Sequence, residues 1–260
     1  MTIVLIALVF YLLASGLLLQ EVKQTGQRRG HWLGLASAAV LLHASYHALV
    51  AWQTPGGPDM HFFAALSLVG LGMAGLTTLV AARGQLTALG LVAYPLAALL
   101  LLAYHLYGHA PSPALGWRLE THAWTALLAY ATLAISAVLA LMLRIQERAL
   151  RQRRFSLFSR HLPPLHELET LLFRTIAAGF ILLSATLLTG VLFVDDLLAQ
   201  KLVHKTVLSV LSWLVFGTLL LGRWRWGWRG KKAVRLTLIA SVLLLLAFFG
   251  SKAAIELIFH

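Results

Sequence analysis

Eleven histidines and no cysteine set the chemistry open to this 260-residue chain. A neutral imidazole is the commonest protein metal ligand and an axial ligand of haem iron. His43 and His47 are four residues apart, as are His105 and His109. On a helix each pair shares a face. His61, His122, His204 and His260 add single imidazoles. Without cysteine, disulfides, thiolate metal sites and the C-x-x-C-H haem attachment are excluded. Zn or Cu would want sulfur or carboxylate companions. Met60 and Met73 are the nearest methionines and form no Met-rich motif.

The elements that carry these histidines are read from composition. The chain is 60% hydrophobic and only 12% charged, where soluble domains carry about 25% charged residues. Mean hydropathy is +0.82. A membrane span needs about 20 apolar residues, and eight stretches qualify: 2–20, 31–52, 61–82, 86–104, 121–144, 171–194, 203–222 and 233–255. The fold class expected is all-α, one polytopic membrane domain over 1–260. The first stretch has no Lys or Arg ahead of it, so it reads as a span rather than a signal peptide. Gly72, Ala74 and Gly75 on the third span predict a close helix contact.

The charges orient the spans. Seventeen of the 21 Lys and Arg residues fall in the odd-numbered connections, and only Arg118, Lys201, Lys205 and Lys252 fall on the other side. By the positive-inside rule the odd connections are cytoplasmic and both termini are outside; for a bacterial inner membrane, which the resemblance below implies, that side is the periplasm. The net charge of +12 is explained by this topology, so no nucleic-acid partner is expected. The segment 145–170 is the one long cytoplasmic loop. Its basic first half is expected to extend the fifth span as a helix, and Pro163-Pro164 then breaks the chain. That basic run could lie on anionic lipid or serve as a docking site. Arg223-Trp-Arg-Trp-Gly-Trp-Arg-Gly230 reads as interfacial belt, with a cation–π-stapled turn as the refinement.

With this topology, eight of the eleven histidines lie at or near the outer face. Only His31, His161 and His166 lie on the cytoplasmic side. No Asp or Glu sits at the centre of a span. That argues against a proton-driven carrier, and no carboxylate–His–Ser set argues for a hydrolase. The expectation is therefore a protein without catalytic residues. A non-covalent, b-type haem needs two imidazoles from different helices, an apolar slot, and cations for its propionates. At least two of the outer histidines could ligate the iron, and His122 and His204 each lie close to a cation. Lys205 follows His204, and Arg118 lies four residues before His122. Tyr46, Trp52, Tyr104, Trp124, Tyr130 and Trp213 could wall the slot, although each also fits an ordinary aromatic belt.

Several motifs resemble one known family. They are His204-Lys-Thr-Val-Leu-Ser-Val-Leu-Ser-Trp213, Gly227-Trp-Arg-Gly230 and Phe248-Phe-Gly-Ser-Lys252. Pro163-Pro164-Leu165 with Glu169 and Phe173, His122 with Tyr130, and His43 agree with them. The pattern is similar to the cytochrome c assembly protein family (the CcsA, CcmC and HemX types), and within it to the small YpjD-like inner-membrane branch. The resemblance implies a multi-span bacterial membrane protein handling haem on its outer side. His122 matches the first outer ligand, and His43 the in-membrane histidine. Haem-delivering members carry a Trp-rich outer segment before the helix of His204. Here that place reads Asp195-Asp-Leu-Leu-Ala-Gln-Lys-Leu-Val. The outer loops are also short, so a partner from cytochrome assembly would have to supply any grip on an apocytochrome. Two other readings remain open: a transport accessory for haem or divalent cations, and a membrane scaffold or regulator contacted through 145–160.

Overall fold

Backbone amides in hydrocarbon have no water to bond, so a chain this apolar must satisfy them internally. The computed structural model does so with helices alone. It describes residues 1–23, 30–53, 60–83, 87–108, 115–152, 164–193 and 203–250. In order these form α1 (Thr2–Lys23), α2 (His31–Gln53), α3 (Phe62–Ala82), α4 (Gly90–Tyr107, entered by a 3₁₀ turn over Thr87–Leu89), α5 (Trp117–Gln152), α6 (Leu165–Phe193), α7 (Val203–Trp226) and α8 (Gly230–Leu245, continuing as a π turn over Leu246–Gly250).

Among the described residues seven helices, α1 to α7, are long and apolar enough to cross a membrane. The α-helical part of α8 has 16 residues, short of the roughly 20 a span needs. Two helices exceed the expected spans. The 36 residues of α5 extend roughly 54 Å at 1.5 Å per residue, against a hydrocarbon core of about 30 Å. Its last turns, from Arg144 to Gln152, therefore project beyond the apolar slab. Within the expected loop 145–170, the stretch 145–152 continues α5 as a helix, as its basic first half was expected to, and α6 begins at Leu165.

The chain divides into two compact units, Met1–Leu115 and Gly116–His260, where the sequence pattern shows no boundary. In the first unit α1 packs on α2 and α4, and α3 packs on α4 and α2. In the second, α5 packs along α6 and against α8, while α7 packs on α8 and α6. Both are built with small residues inside and large apolar ones outside. The core of the first unit joins Tyr11, Trp32 and Tyr94 to Ala14, Ala36, Ala39, Ala74 and Ala97. Leu12, Leu41, Leu99, Ile181 and Leu214 are exposed, as suits a lipid-facing surface.

Glycine permits two of these contacts. A Cβ on Gly179 of α6 would stand 2.5 Å from Leu133 Cδ2 of α5. On α3 the close approach is made by Gly70, whose Cβ would lie 3.3 Å from the Ala97 backbone. Gly75, expected from the sequence to make it, has only Val40 in ordinary contact at 3.9 Å. Ala74, another of the expected small residues, is fully buried in the core with Ala97 and Ala98 of α4, and Gly70 adds a close approach one turn earlier.

The turn between α7 and α8 is a clasp. Gly227 and Gly230 take left-handed φ values of 66° and 53°, a region open to glycine. Trp228 folds back onto Gly222 and stacks on Trp226 at 5.7 Å. Lys232 Nζ lies 4.1 Å from the Trp228 ring, and Arg223 lies 4.7 Å from that of Phe173. The Gly230 N–H donates to Glu169 Oε1 at 2.9 Å. The cation–π staple expected here is present.

Candidate functional site

Histidines occupy two different settings, one in each unit. In the first unit, α2 carries His43, Tyr46 and His47 on adjoining turns. His43 is fully buried. Its Nδ1 is 3.3 Å from the Tyr11 hydroxyl of α1, and its Nε2 is 2.9 Å from Ser67 Oγ of α3. The same Ser67 oxygen lies 3.0 Å from His47 Nε2. A serine hydroxyl has one proton. It can therefore donate to at most one of the two imidazoles and must accept from the other, or from both. The His47 ring lies flat on Tyr104 of α4, 4.7 Å away and within 2° of parallel. Tyr46 and His105 Nδ1 are 2.9 Å apart. The result is a polar seam through α1–α4 in which both nitrogens of His43 are bonded to protein. Iron could bind His43 only after one of those bonds gave way.

In the second unit, His122 stands in the second turn of α5, half-buried against α6. Its Nδ1 is 3.1 Å from Thr189 Oγ1. That hydroxyl gives its single proton to the carbonyls of Ala185 and Thr186, at 2.9 and 3.0 Å. When that hydroxyl accepts from His122, the imidazole proton sits on Nδ1 and the lone pair on Nε2. The Thr186 backbone also bonds the ring. A proton fixed on one ring nitrogen by an outer partner is the usual support of a metal-ligating histidine. Gly190 makes room for the ring, since a Cβ there would lie 3.3 Å from His122 Cε1.

The other expected residues are placed as follows. His204 is exposed in the first turn of α7, with Lys205 half-buried beside it. Arg118 is exposed, its guanidinium 5.6 Å from the Trp117 ring. Tyr130 is buried and donates to the Leu244 carbonyl at 2.9 Å, where α8 approaches its π turn. Trp213 donates through Nε1 to Ser184 at 2.8 Å and stacks on Phe180 at 5.3 Å. Tyr130 and Trp213 are thus engaged in tying α5 to α8 and α7 to α6. His109, His161, His260, the Trp52 side chain and the stretches 153–163 and 194–202 lie outside the described residues. Among the described residues no three His, Asp or Glu side chains converge as a metal site.

The profile of the cytochrome c assembly protein family matches residues 32–259. This chain belongs to that family. It is 31% identical to the inner membrane protein YpjD of Escherichia coli K12 over 98% of each chain. It is 39% identical to a 28.8 kDa protein from a nifR3-like 5′ region of Azospirillum brasilense, over 55% of each. It is 28% identical to the protein HemX of Brevibacillus brevis over 51% of this chain and 49% of that one. Some of the stretches that carried the resemblance fall in two places here. His122 and Tyr130 lie on α5, whereas Glu169, Phe173 and Gly227-Trp-Arg-Gly230 meet in the clasp, which is architectural.

Four partners were not foreseen from sequence. Ser67, Thr189 and Gly190 are ordinary residues of apolar spans and carried no signal. Tyr11 did carry one: a tyrosine at mid-span, away from the interfacial belt, needs a buried partner for its hydroxyl.

Proposed function

We propose that this chain is a haem-handling protein of cytochrome c biogenesis in the bacterial inner membrane, with eight spans and both termini outside. Family membership over 32–259 supports the biological setting, and the Arg and Lys bias supports the orientation. The observation that carries the haem reading is the contact of His122 Nδ1 with Thr189 Oγ1 at 3.1 Å, whose acceptor form puts the imidazole proton on Nδ1. It leaves Nε2 as the donor that haem iron takes from a neutral imidazole. His204, at the mouth of α7, is the candidate second ligand. Lys205 and Arg118 supply cations at the same end for propionates. Bound in this way, haem would be non-covalent and redox-active. Thr189 orients the ligand, and Gly190 keeps its ring position open. His43 enters as the hub of the seam in the first unit, its nitrogens already occupied.

The test is optical. The full chain is produced with haem supplied, purified in mild detergent, and compared with His122→Ala and His204→Ala. A Soret band with sharp low-spin α and β peaks, lost in either variant, is expected. A wild-type protein that stays colourless through a haem titration overturns the proposal.

A further inference from the structure

The last turns of α5 and the first turns of α8 enclose a cleft of about 550 Å³. Arg144, Arg148 and Arg151 face it from α5, and Lys231 and Arg235 face it from α8. All five are exposed. The spacing is i, i+4, i+7 on one helix and i, i+4 on the other, so each set lines a single face. The cleft's one carboxylate, Glu147, is turned to the start of α8: a Cβ on Gly230 would lie 2.6 Å from its Oε1. A helix N-terminus favours negative charge there, so Glu147 is only partly available to offset the cations. The positive-inside rule explains why arginines stand at this end of the helices. It does not explain why two rows of them face one another across a cavity, since like charges so placed repel. A bound anion removes that penalty.

The remaining walls define the anion. Val234, Leu238 and Ile239 line the same cleft. Ile239 is 41% exposed, and Val242, one turn further along the same face, is 53% exposed. The cationic rim therefore opens directly onto lipid-facing apolar surface. A soluble phosphate would use only the rim, whereas a phospholipid uses both parts, its phosphodiester among the arginines and an acyl chain along Leu238, Ile239 and Val242. We propose that this cleft is a binding site for an anionic phospholipid, held between α5 and α8. It lies wholly in the second unit and uses none of the residues assigned to haem.

The test is native mass spectrometry of the purified full chain titrated with dioleoyl phosphatidylglycerol or dioleoyl phosphatidylcholine. Phosphatidylglycerol is expected to bind the wild type in clear preference. The Arg148→Gln/Arg235→Gln double variant should bind it roughly tenfold or more weakly, with phosphatidylcholine unchanged. Arg148→Lys/Arg235→Lys should keep the preference. Each single Gln variant should lose part of it, which holds the test open if the double variant fails to fold. Equal binding of the two lipids, or Gln variants that bind like wild type, overturns the site. Displacement of phosphatidylglycerol by excess inorganic phosphate also overturns it, and assigns the cleft to a soluble anion.

Discussion

His43 and His122 are the same residue type on two apolar helices, and the protein treats them in opposite ways. In the first unit Tyr11 and Ser67 consume both nitrogens of His43, and Ser67 joins it to His47. In the second unit Thr189, whose hydroxyl also lies against the Ala185 and Thr186 carbonyls, meets one nitrogen of His122, Nδ1. An imidazole bonded at both ends is a structural cross-link. An imidazole met at Nδ1 by an accepting hydroxyl is a ligand in waiting. Residue type and spacing do not distinguish the two; the hydroxyl opposite does.

The contrast is sharpest when each histidine is removed. His122→Ala should abolish the Soret band, while His43→Ala should keep haem at the wild-type ratio. Loss of haem from His43→Ala with the fold intact would erase the distinction, and optical titration of both variants decides it. The same His43→Ala exchange should lower stability by about 2–4 kcal/mol, because it empties a packed site and strands the Tyr11 and Ser67 hydroxyls. A thermal melt in detergent measures that loss, and the matching His122→Ala change should be smaller at this half-buried position.

Thr189→Val tests the tautomer itself. Losing the acceptor should weaken haem binding roughly tenfold or more with little change in melting temperature. Unchanged affinity would mean that Thr189 only packs. Gly190→Ala brings a methyl to 3.3 Å from His122 Cε1 and should shift the ring, with a loss of a few-fold in affinity. The smallest effect expected is from Ser67→Ala, about 1–2 kcal/mol of stability, with the haem spectrum unaltered.

How much of this was legible beforehand differs by level. Helix positions followed from the length of apolar runs, and α1 to α4 lie close to their expected bounds. The helical extension of α5 followed from a basic stretch free of Gly and Pro, and the staple at Trp228 from alternating Trp and Arg. The histidine partners were not legible. Ser67 and Thr189 belong to other helices, and their role depends on which way each helix is turned about its axis. The close approach at Gly70 was not legible for the same reason.

The sequence by itself determined a polytopic helical membrane protein, the end at which its arginines gather, its family and its supply of imidazoles. These follow from counts and one-dimensional spacing, which lipid and the translocation of charge read directly. Tertiary structure alone decided that His43 is sealed, that His122 meets Thr189, and that two rows of basic residues share a cleft. The physical reason lies in the solvent. In water a helix's apolar stripe declares its inner face, but in lipid both faces are apolar. Only the packing of small residues and hydroxyls between neighbouring helices then settles the rotation that pairs one side chain with another.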